Sequence, residues 1–427
     1  MRAFNSPFGS PFGSAFRAEH AQGDEAMYGM YSESQINTMI TSESYIPIAT
    51  ADELNALRTA ASQTFGAGSK WEGSYTSGLD KKYVLIDDID LDVAPYNTGT
   101  GWNPIGQLLL GFEFDGAGRF VVNLWHKELV TANVYSALFL EEDSTSDLVK
   151  IRNIALSRSY VHSLRVSGTL MGWVKCPTTE ISNVLVCGYV DHNHADKRDG
   201  FGGIVGDFRG LMSNAAAFVI VQGGGSHNGG LFGEGRTCTA SNCFSTGRVT
   251  GGAPVGGLIG STRSGIVTNA SYYNTTTSGQ SDTGKGVPKT TAELLAGEPS
   301  AGIYTGWDTS IWQFKPDRYP IQKAFGEQAV HRAPPGQPVA TIDGGNIVLT
   351  WDDAPSEVDL PDGYFVYQSI DNGPWTKLNA VPVTAKTYTV ESPAVGEHNY
   401  FVAAFYDDAA YKIKETGNSQ TVTETIA

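Results

Sequence analysis

The sequence predicts an all-β chain: a parallel β-helix (a solenoid) followed by a C-terminal immunoglobulin-like β-sandwich. The first observation behind this is a repeated phrase. GGIVGDFRG at residues 202–210 returns as GGLFGEGRT at 229–237 and as GGLIGSTRS at 256–264, starting 27 residues later each time (229 − 202, 256 − 229). A period in the twenties with one strand-rich unit per period signals a solenoid, because no unit can bury its own apolar face and the coils must stack. The second is the 50 glycines, which follow no G-X-Y period and so point to a turn-rich repeat rather than to collagen. The third is the strand series after the APPGQP segment at 333–338: NIVLTW, GYFVYQSI, PWTKL, KTYTVES and HNYFVAAFY. Strands with turn signals at such short intervals build a sandwich.

Four segments follow from this: a tail at 1–44, the β-helix at 45–330, a linker at 331–338 and the sandwich at 339–427. Within the tail, Phe4, Phe8, Phe12 and Phe16 recur every fourth residue, and the intervening Pro7, Pro11, Gly9 and Gly13 forbid a helix. An extended chain puts all four rings on one face, so they are expected to form a docking strip that orders on a partner. From residue 46, IPIATADELNALR reads as a strand and a short helix, with Thr50 and Glu53 forming a capping box. KYVLIDDIDLD at 82–92 alternates as a half-buried strand does. GFEFDGAGRFVVNLW at 111–125 reads as strand, tight glycine turn, strand.

The repeat extends beyond its three clear copies. GTLMGWVKC at 168–176 fits as an earlier coil and YSALFLEED at 135–143 as a degenerate one. Each copy is followed by an asparagine: Asn153, Asn183, Asn214, Asn242 or Asn269. Parallel stacking places equivalent residues about 4.8 Å apart, close enough for these side chains to form a hydrogen-bonded ladder. DHNHADKRDG at 191–200 is a polar insertion that lengthens one coil to 34 residues (206 − 172). Its two histidines and aspartates have metal-ligand chemistry. The spacing is nevertheless not that of a calcium loop, since Ala195 stands at the third ligand slot, so a solvated loop without metal is expected.

These residues resemble the GLUG-motif family, a bacterial and phage repeat built around G-G-[LI]-x-G. The resemblance takes in ELNALR, the run from WNPIG to FEFDGAGRFVVNL, and the closing GVPKTTAELL, GWDTSIWQF and YPIQ, roughly residues 45–325. It implies a right-handed parallel β-helix of the kind used in adhesins and surface fibres. The motif is structural and carries over no catalytic residue. The C-terminal part resembles a fibronectin type III-like module. Trp351, Tyr364 and Tyr400 stand where that family keeps core aromatics, and ETGNSQTV resembles its closing strand.

Charge and cysteine usage narrow the function. A net charge of −16 argues against nucleic-acid binding and against adhesion to anionic lipid by bulk charge. The longest apolar run is the seven residues 215–221, far short of a membrane span. Cys176, Cys187, Cys238 and Cys243 form no CxxC pair and are expected to be plain thiols. Residues 2–20 lack the continuous apolar stretch of a secretory signal. The Asn274-Thr-Thr sequon therefore reads as chance.

One constellation remains. After each GGxxG stands Trp173, Asp207, Glu234 or Ser261, and two positions on stands Lys175, Arg209, Arg236 or Arg263. Stacked rungs would align the cations in a column beside a partly acidic one. One reading is a solvated ladder of ion pairs, each worth little. The other is a cationic stripe that, with Trp173, grips an anionic glycan, since the planar guanidinium binds carboxylate and phosphate bidentately. Asp207 and Glu234, one rung apart, also approach the roughly 5 Å carboxyl spacing of a retaining glycosidase. Their arginine neighbours are expected to keep both ionised, which disfavours acid catalysis. With no phosphate loop, nucleophile elbow or zinc motif, the expectation is a protein without catalysis or cofactor.

A surface-fibre architecture without a secretion signal suits a phage virion protein, a fibre or spike made in the host cytoplasm. The expected partners are other virion proteins, through the phenylalanine tail, and host surface polysaccharide. A homotrimer fits as well as a monomer. A bacterial surface adhesin is the alternative, and a tailspike-like depolymerase a further one.

Overall fold

The structure is a computed structural model and describes residues 27–426 except 128–134, 144, 146–147, 193–199, 224, 298–301, 316–317, 330–334, 353–360, 372–375, 406–418 and 420–421. Phe4, Phe8, Phe12 and Phe16 lie outside the described residues, as does most of the polar insertion after His192.

The repeats stack as a parallel β-solenoid. A long sheet runs through Tyr45–Ile48, Lys82–Leu85, Glu113–Val122, Lys150–His162, Glu180–His192, Leu211–Gly223, Phe244–Ser245, Tyr272–Asn274 and Val287–Lys289, each strand parallel to the next. A second wall is the five-stranded parallel sheet of Phe139–Glu141, Met171–Val174, Val205–Phe208, Phe232–Gly235 and Ile259–Thr262. A third, narrow wall pairs Phe201–Gly202, Asn228–Gly229 and Val255–Gly256. Between the walls lies one continuous apolar interior, including Phe114, Ile154, Val184, Ala215, Leu231 and Leu258.

The 27-residue period is one coil: Gly202 pairs with Gly229, and Gly229 with Gly256. Two glycines of the motif answer to different crowding. A Cβ at Gly202, Gly229 or Gly256 would strike the carbonyl of Val205, Phe232 or Ile259 in the same coil, so the corner admits no side chain. At Gly206, Gly233 and Gly260 a Cβ would strike the preceding coil instead, at Ser167, Phe201 or Asn228. The degenerate copy at 135–143 stacks in register, with Phe139 opposite Met171. A still earlier coil passes through Ile105, which bridges to Phe139.

The asparagine column is real, and it has a second cause. Asn183 Nδ2 donates to Asn153 Oδ1 at 3.0 Å, and Asn242 Nδ2 to Asn214 Oδ1 at 3.5 Å. Asn153, Asn183, Asn214 and Asn242 also have φ of 56°, 51°, 52° and 55°, the left-handed region that asparagine tolerates better than most residues. Between the two pairs the ladder is interrupted: Asn183 Oδ1 is buried without a hydrogen-bond partner, while Asn214 Oδ1 also accepts from Trp312 Nε1 at 3.0 Å. Asn269 departs from the column and donates to Ser241 Oγ.

Two local expectations are corrected. Residues 113–122 form one strand rather than a hairpin. Both halves pair parallel with Lys150–His162, and GAG is a bulge between the Arg152–Asp115 and Ile154–Arg119 pairs. An antiparallel return would have broken the solenoid sheet that both halves join. At the helix Ala51–Ala56, Thr50 does cap Glu53 N, but the buried Glu53 carboxylate reaches Ala49 N at 2.7 Å and Ala67 N at 2.8 Å instead of closing the box.

The segment after the last coil turns back along the outside of the long sheet. Tyr304, Trp307, Trp312, Tyr319 and Phe325 cover an apolar stripe on that face made of Tyr272, Phe244, Phe218, Ala216, Leu185, Ala155 and Phe120. Gln322 Nε2 donates to Val184 O and Asn214 O, both at 3.0 Å, and ties this strap to the sheet. At the end of the second wall Lys285 Nζ donates to Val255 O and Gly260 O, at 2.8 and 2.9 Å. Asp282 accepts from Gly257 N at 2.9 Å. These groups stand in for a missing next coil.

The C-terminal part has two antiparallel sheets, Val339–Asp343, Asn346–Thr350 and Thr387–Val390 on one side, and Thr376–Lys377, Gly363–Ile370, Gly396–Phe405 and Val422–Ile426 on the other. Trp351, Tyr364 and Tyr400 are buried in the core between them with Ile347, Leu349, Val366 and Val402. The alternate residues Phe365, Tyr367, Phe401 and Ala403 point to the other face and pack on Ile220 and Tyr189 of the solenoid. Strands apolar on both faces are what a sheet covered on both sides requires.

Candidate functional site

The site foreseen from the repeat lies on the five-stranded wall. Register brings Glu141, Trp173, Asp207, Glu234 and Ser261 into one row across successive rungs. Strand continuity then places Lys175, Arg209, Arg236 and Arg263 in the neighbouring row, two residues further along each rung. Core residues flank the acidic row, with Val205 and Phe208 on either side of Asp207 and Phe232 before Glu234.

The carboxylates are more deeply placed than a surface ladder allows. Asp207 is 4% exposed and Glu234 2%, while the cations are the more exposed partners. Arg236 joins two rungs, with Nη2 3.0 Å from Asp207 Oδ2 and Nε on Glu234 Oε1. Arg263 also reaches Glu234 through Nε, with Nη2 at 3.4 Å from Oε2. Lys175 Nζ lies 2.9 Å from Glu141 Oε2 and 5.0 Å from the Trp173 ring centre. The pairing is therefore diagonal: Lys175, Arg236 and Arg263 each reach back to the carboxylate one rung earlier.

Arg209 breaks the pattern. The residue one rung before it in the acidic row is Trp173, which offers no carboxylate. Arg209 acts instead on Asp207 of its own rung, whose carboxyl it helps to hold down. Trp173 is held edge-on by Tyr135, with ring centres 5.5 Å apart.

The ionisation expected for Asp207 is corrected. Burial pushes its carboxyl up to about 7, with Glu234 adding to the rise and Arg236, Arg209 and Arg263 opposing it. Desolvation outweighs the guanidiniums because the carboxylate sits beneath them, away from water. Sequence spacing gave the pairs but not the depth.

A fourth acidic group, Glu142, had no place in the sequence reading. It is fully buried and accepts from Lys175 N and Cys176 N, both at 2.6 Å, and from Thr179 Oγ1. It fastens the Lys175 turn to the coil before. Its neighbour Glu141 gives the only sequence signal, as the last strand residue of the degenerate copy.

Elsewhere, Asn274 is a buried helix N-cap, accepting from Thr276 N at 2.8 Å and donating to Tyr319 OH at 3.0 Å. Those contacts give the sequon asparagine a structural role. All four cysteines are buried thiols, none of them in a disulfide. Among the described residues no group of three or more His, Cys, Asp or Glu side chains is placed to hold a metal ion. No helix among them is long and apolar enough to cross a membrane.

No protein-family model matches the chain. Over 115 residues, 25% of this chain, it is 38% identical to the "Putative Gly-rich membrane protein" of Evansella cellulosilytica. The match takes in only 13% of that protein's length. Among solved structures it is similar to a "putative immunoglobulin A1 protease from Bacteroides ovatus", at 17% identity and a TM-score of 0.44. That likeness covers 66% of this chain and 94% of the other.

Proposed function

We propose that this is a surface-exposed binding protein whose solenoid attaches to a cell-surface polysaccharide without catalysis. The observation that carries the reading is the row of cations, Lys175, Arg209, Arg236 and Arg263, repeated once per rung of the five-stranded wall beside the buried carboxylates. A ligand that is itself a repeating polymer is the natural match for a surface with a translational repeat of about 4.8 Å. In its finer form, the chain is a virion fibre or spike of GLUG type, with a fibronectin type III-like module, docked by its phenylalanine tail. The module's contact with Tyr189 and Ile220 supports a bracing rather than a distal position for it.

Two measurements test this. The purified chain is expected to bind host cells saturably and to lose that binding once surface polysaccharide is stripped. Equal binding to stripped cells would refute it. Mass spectrometry of density-purified particles is expected to find the chain at a fixed ratio to the capsid protein. Recovery only from the envelope of uninfected cells would replace the virion reading with the bacterial adhesin.

A further inference from the structure

We infer that the groove between the helix Glu33–Thr41 and Arg152 is a subsite for one unit of a neutral polysaccharide. This rests on the polysaccharide-binding reading above and names a second place, away from the five-stranded wall, where the polymer is held. The helix packs through Ile36 and Met39 on the outer face of the first coils, against Tyr45, Val84 and Ala117. Beside it the surface is concave, a groove of about 300 Å³ whose walls include Tyr31, Gln35, Thr38, Met39, Glu43 and Arg152. That volume is at the small end of ligand sites and suits a single sugar unit.

Arg152 is set in place before any ligand arrives. Its Nε donates to Asp115 Oδ2 at 2.7 Å and its Nη2 to Tyr45 OH at 2.9 Å, while Tyr31 OH donates to the same Asp115 oxygen at 3.0 Å. Asp115 is 1% exposed and is held in turn by Ala117 N at 2.8 Å and Asn153 Nδ2 at 3.1 Å. Two guanidinium nitrogens are thus fixed by the sheet, and with them the plane of the group. The Gln35 amide is fixed as well, since its Oε1 accepts from Ser32 N at 2.8 Å. Arg152 Nη1, Gln35 Nε2 and the Glu43 carboxylate bond no other side chain or backbone group among the described residues. Gln35 and Glu43 are exposed, so this set is open to a ligand from solvent.

The groove therefore presents two donors and a carboxylate acceptor. A sugar hydroxyl donates and accepts at once, so neighbouring hydroxyls answer both: their oxygens accept from Arg152 and Gln35, and their protons go to Glu43. The Tyr31 ring and Met39 supply apolar wall for the C–H face of the sugar. A carboxylate, phosphate or sulfate is a poor match. The guanidinium charge is already met by buried Asp115, and Glu43 would repel a second anion. The polymer also has a path out of the groove. Arg152 is continued in register by Ser182, Ser213 and Ser241, one per rung. The residues before them, Ile181, Met212 and Ala240, point into the core, so alternation turns the serines outward, where they are half-buried. A chain leaving the groove along the stack meets a hydroxyl about every 4.8 Å.

The test is calorimetric titration of the full chain with hexamers of α-glucan, β-glucan and mannan, and with galacturonate hexamers for comparison. At least one neutral hexamer is expected to bind at least about tenfold more tightly than the acidic one. Glu43→Gln should weaken that binding about tenfold, as loss of a charge-assisted hydrogen bond should. Thr38→Trp, on the exposed side of the helix, should abolish it by filling the groove without touching the Arg152 network. Both variants are expected to keep the thermal midpoint of the parent, which separates a lost site from a lost fold. Parental binding by Thr38→Trp, or equal binding of neutral and acidic hexamers, overturns the subsite. If the chain binds cells through their polysaccharide but no neutral hexamer in solution, the subsite falls and the surface-binding reading stands. If it binds neither, both fall.

Discussion

Arg236 lies across two rungs of the solenoid, 3.0 Å from Asp207 through Nη2 and in contact with Glu234 through Nε. One guanidinium therefore serves two carboxylates that are almost fully buried. Removing one partner of such a group leaves charge stranded in the interior, whose cost exceeds what the pair itself contributes. Arg236→Gln is expected to destabilise the chain by about 3–5 kcal/mol, read from urea unfolding. Pairing it with Asp207→Asn should recover part of the loss. A cost below about 1 kcal/mol would mean that the carboxylates are solvated.

The raised carboxyl of Asp207 makes stability depend on pH with a definite sign. Its folded value of about 7 lies above that of the unfolded chain, near 3.9. Between those values the folded state holds the proton more tightly, so this contribution is complete below about pH 4 and is lost as pH rises through 7. The full span corresponds to at most about 4 kcal/mol. Thermal midpoints of wild type and Asp207→Asn, compared from pH 4 to 8, should converge at the acidic end and separate at the alkaline end, with the variant the more stable. The opposite order would show that the guanidiniums outweigh burial.

At Asn183 the backbone takes φ of 51°, which inverts the usual ranking of small residues. Glycine accepts this conformation freely, while alanine meets a steric penalty of about 1–2 kcal/mol. Asn183→Ala should therefore unfold at lower urea than Asn183→Gly, although both lose the bond to Asn153 Oδ1. Equal midpoints would show that the ladder hydrogen bond, rather than the backbone, selects asparagine.

The sandwich and the solenoid meet through Tyr189, Ile220, Tyr367 and Phe401, with the Tyr367 and Phe401 rings stacked at 4.6 Å. The sandwich also has its own core around Trp351 and Tyr364. Replacing Tyr367 and Phe401 together by Ser should release the module without unfolding it. Limited proteolysis would then yield two stable fragments where the parent yields one. Loss of both fragments would show that the two cores fold as one.

The coil period, the stacking register and the sandwich core around Trp351, Tyr364 and Tyr400 were legible in the sequence. Each depends on residues close together in the chain or repeated at a fixed interval. The asparagine column was legible as a position, but its left-handed backbone was not, because asparagine is compatible with both causes. The bulge at 116–118 misread as a turn, since GAG between apolar runs looks the same whether the chain returns or continues. Burial of Asp207 and Glu234 was hidden for a different reason. It depends on arginine side chains from other rungs folding over them, and the sequence interval fixes only which residues are neighbours. GWDTSIWQF and YPIQ were legible as segments that close the repeat, but not the sheet they cover, more than 80 residues upstream at Phe218.

The strap has one more consequence. It crosses the long sheet from Tyr272 back to Phe120, and its side chains meet successive coils in turn. Ordinary stacked repeats gain or lose a unit with little effect on the rest, since each touches only its neighbours. Here an inserted or deleted coil would shift Gln322 off Val184 and Asn214, and Phe325 off Phe120, whose rings lie 6.0 Å apart. The strap acts as a gauge cut to one length of stack, so that the number of coils can change only if the strap changes with it.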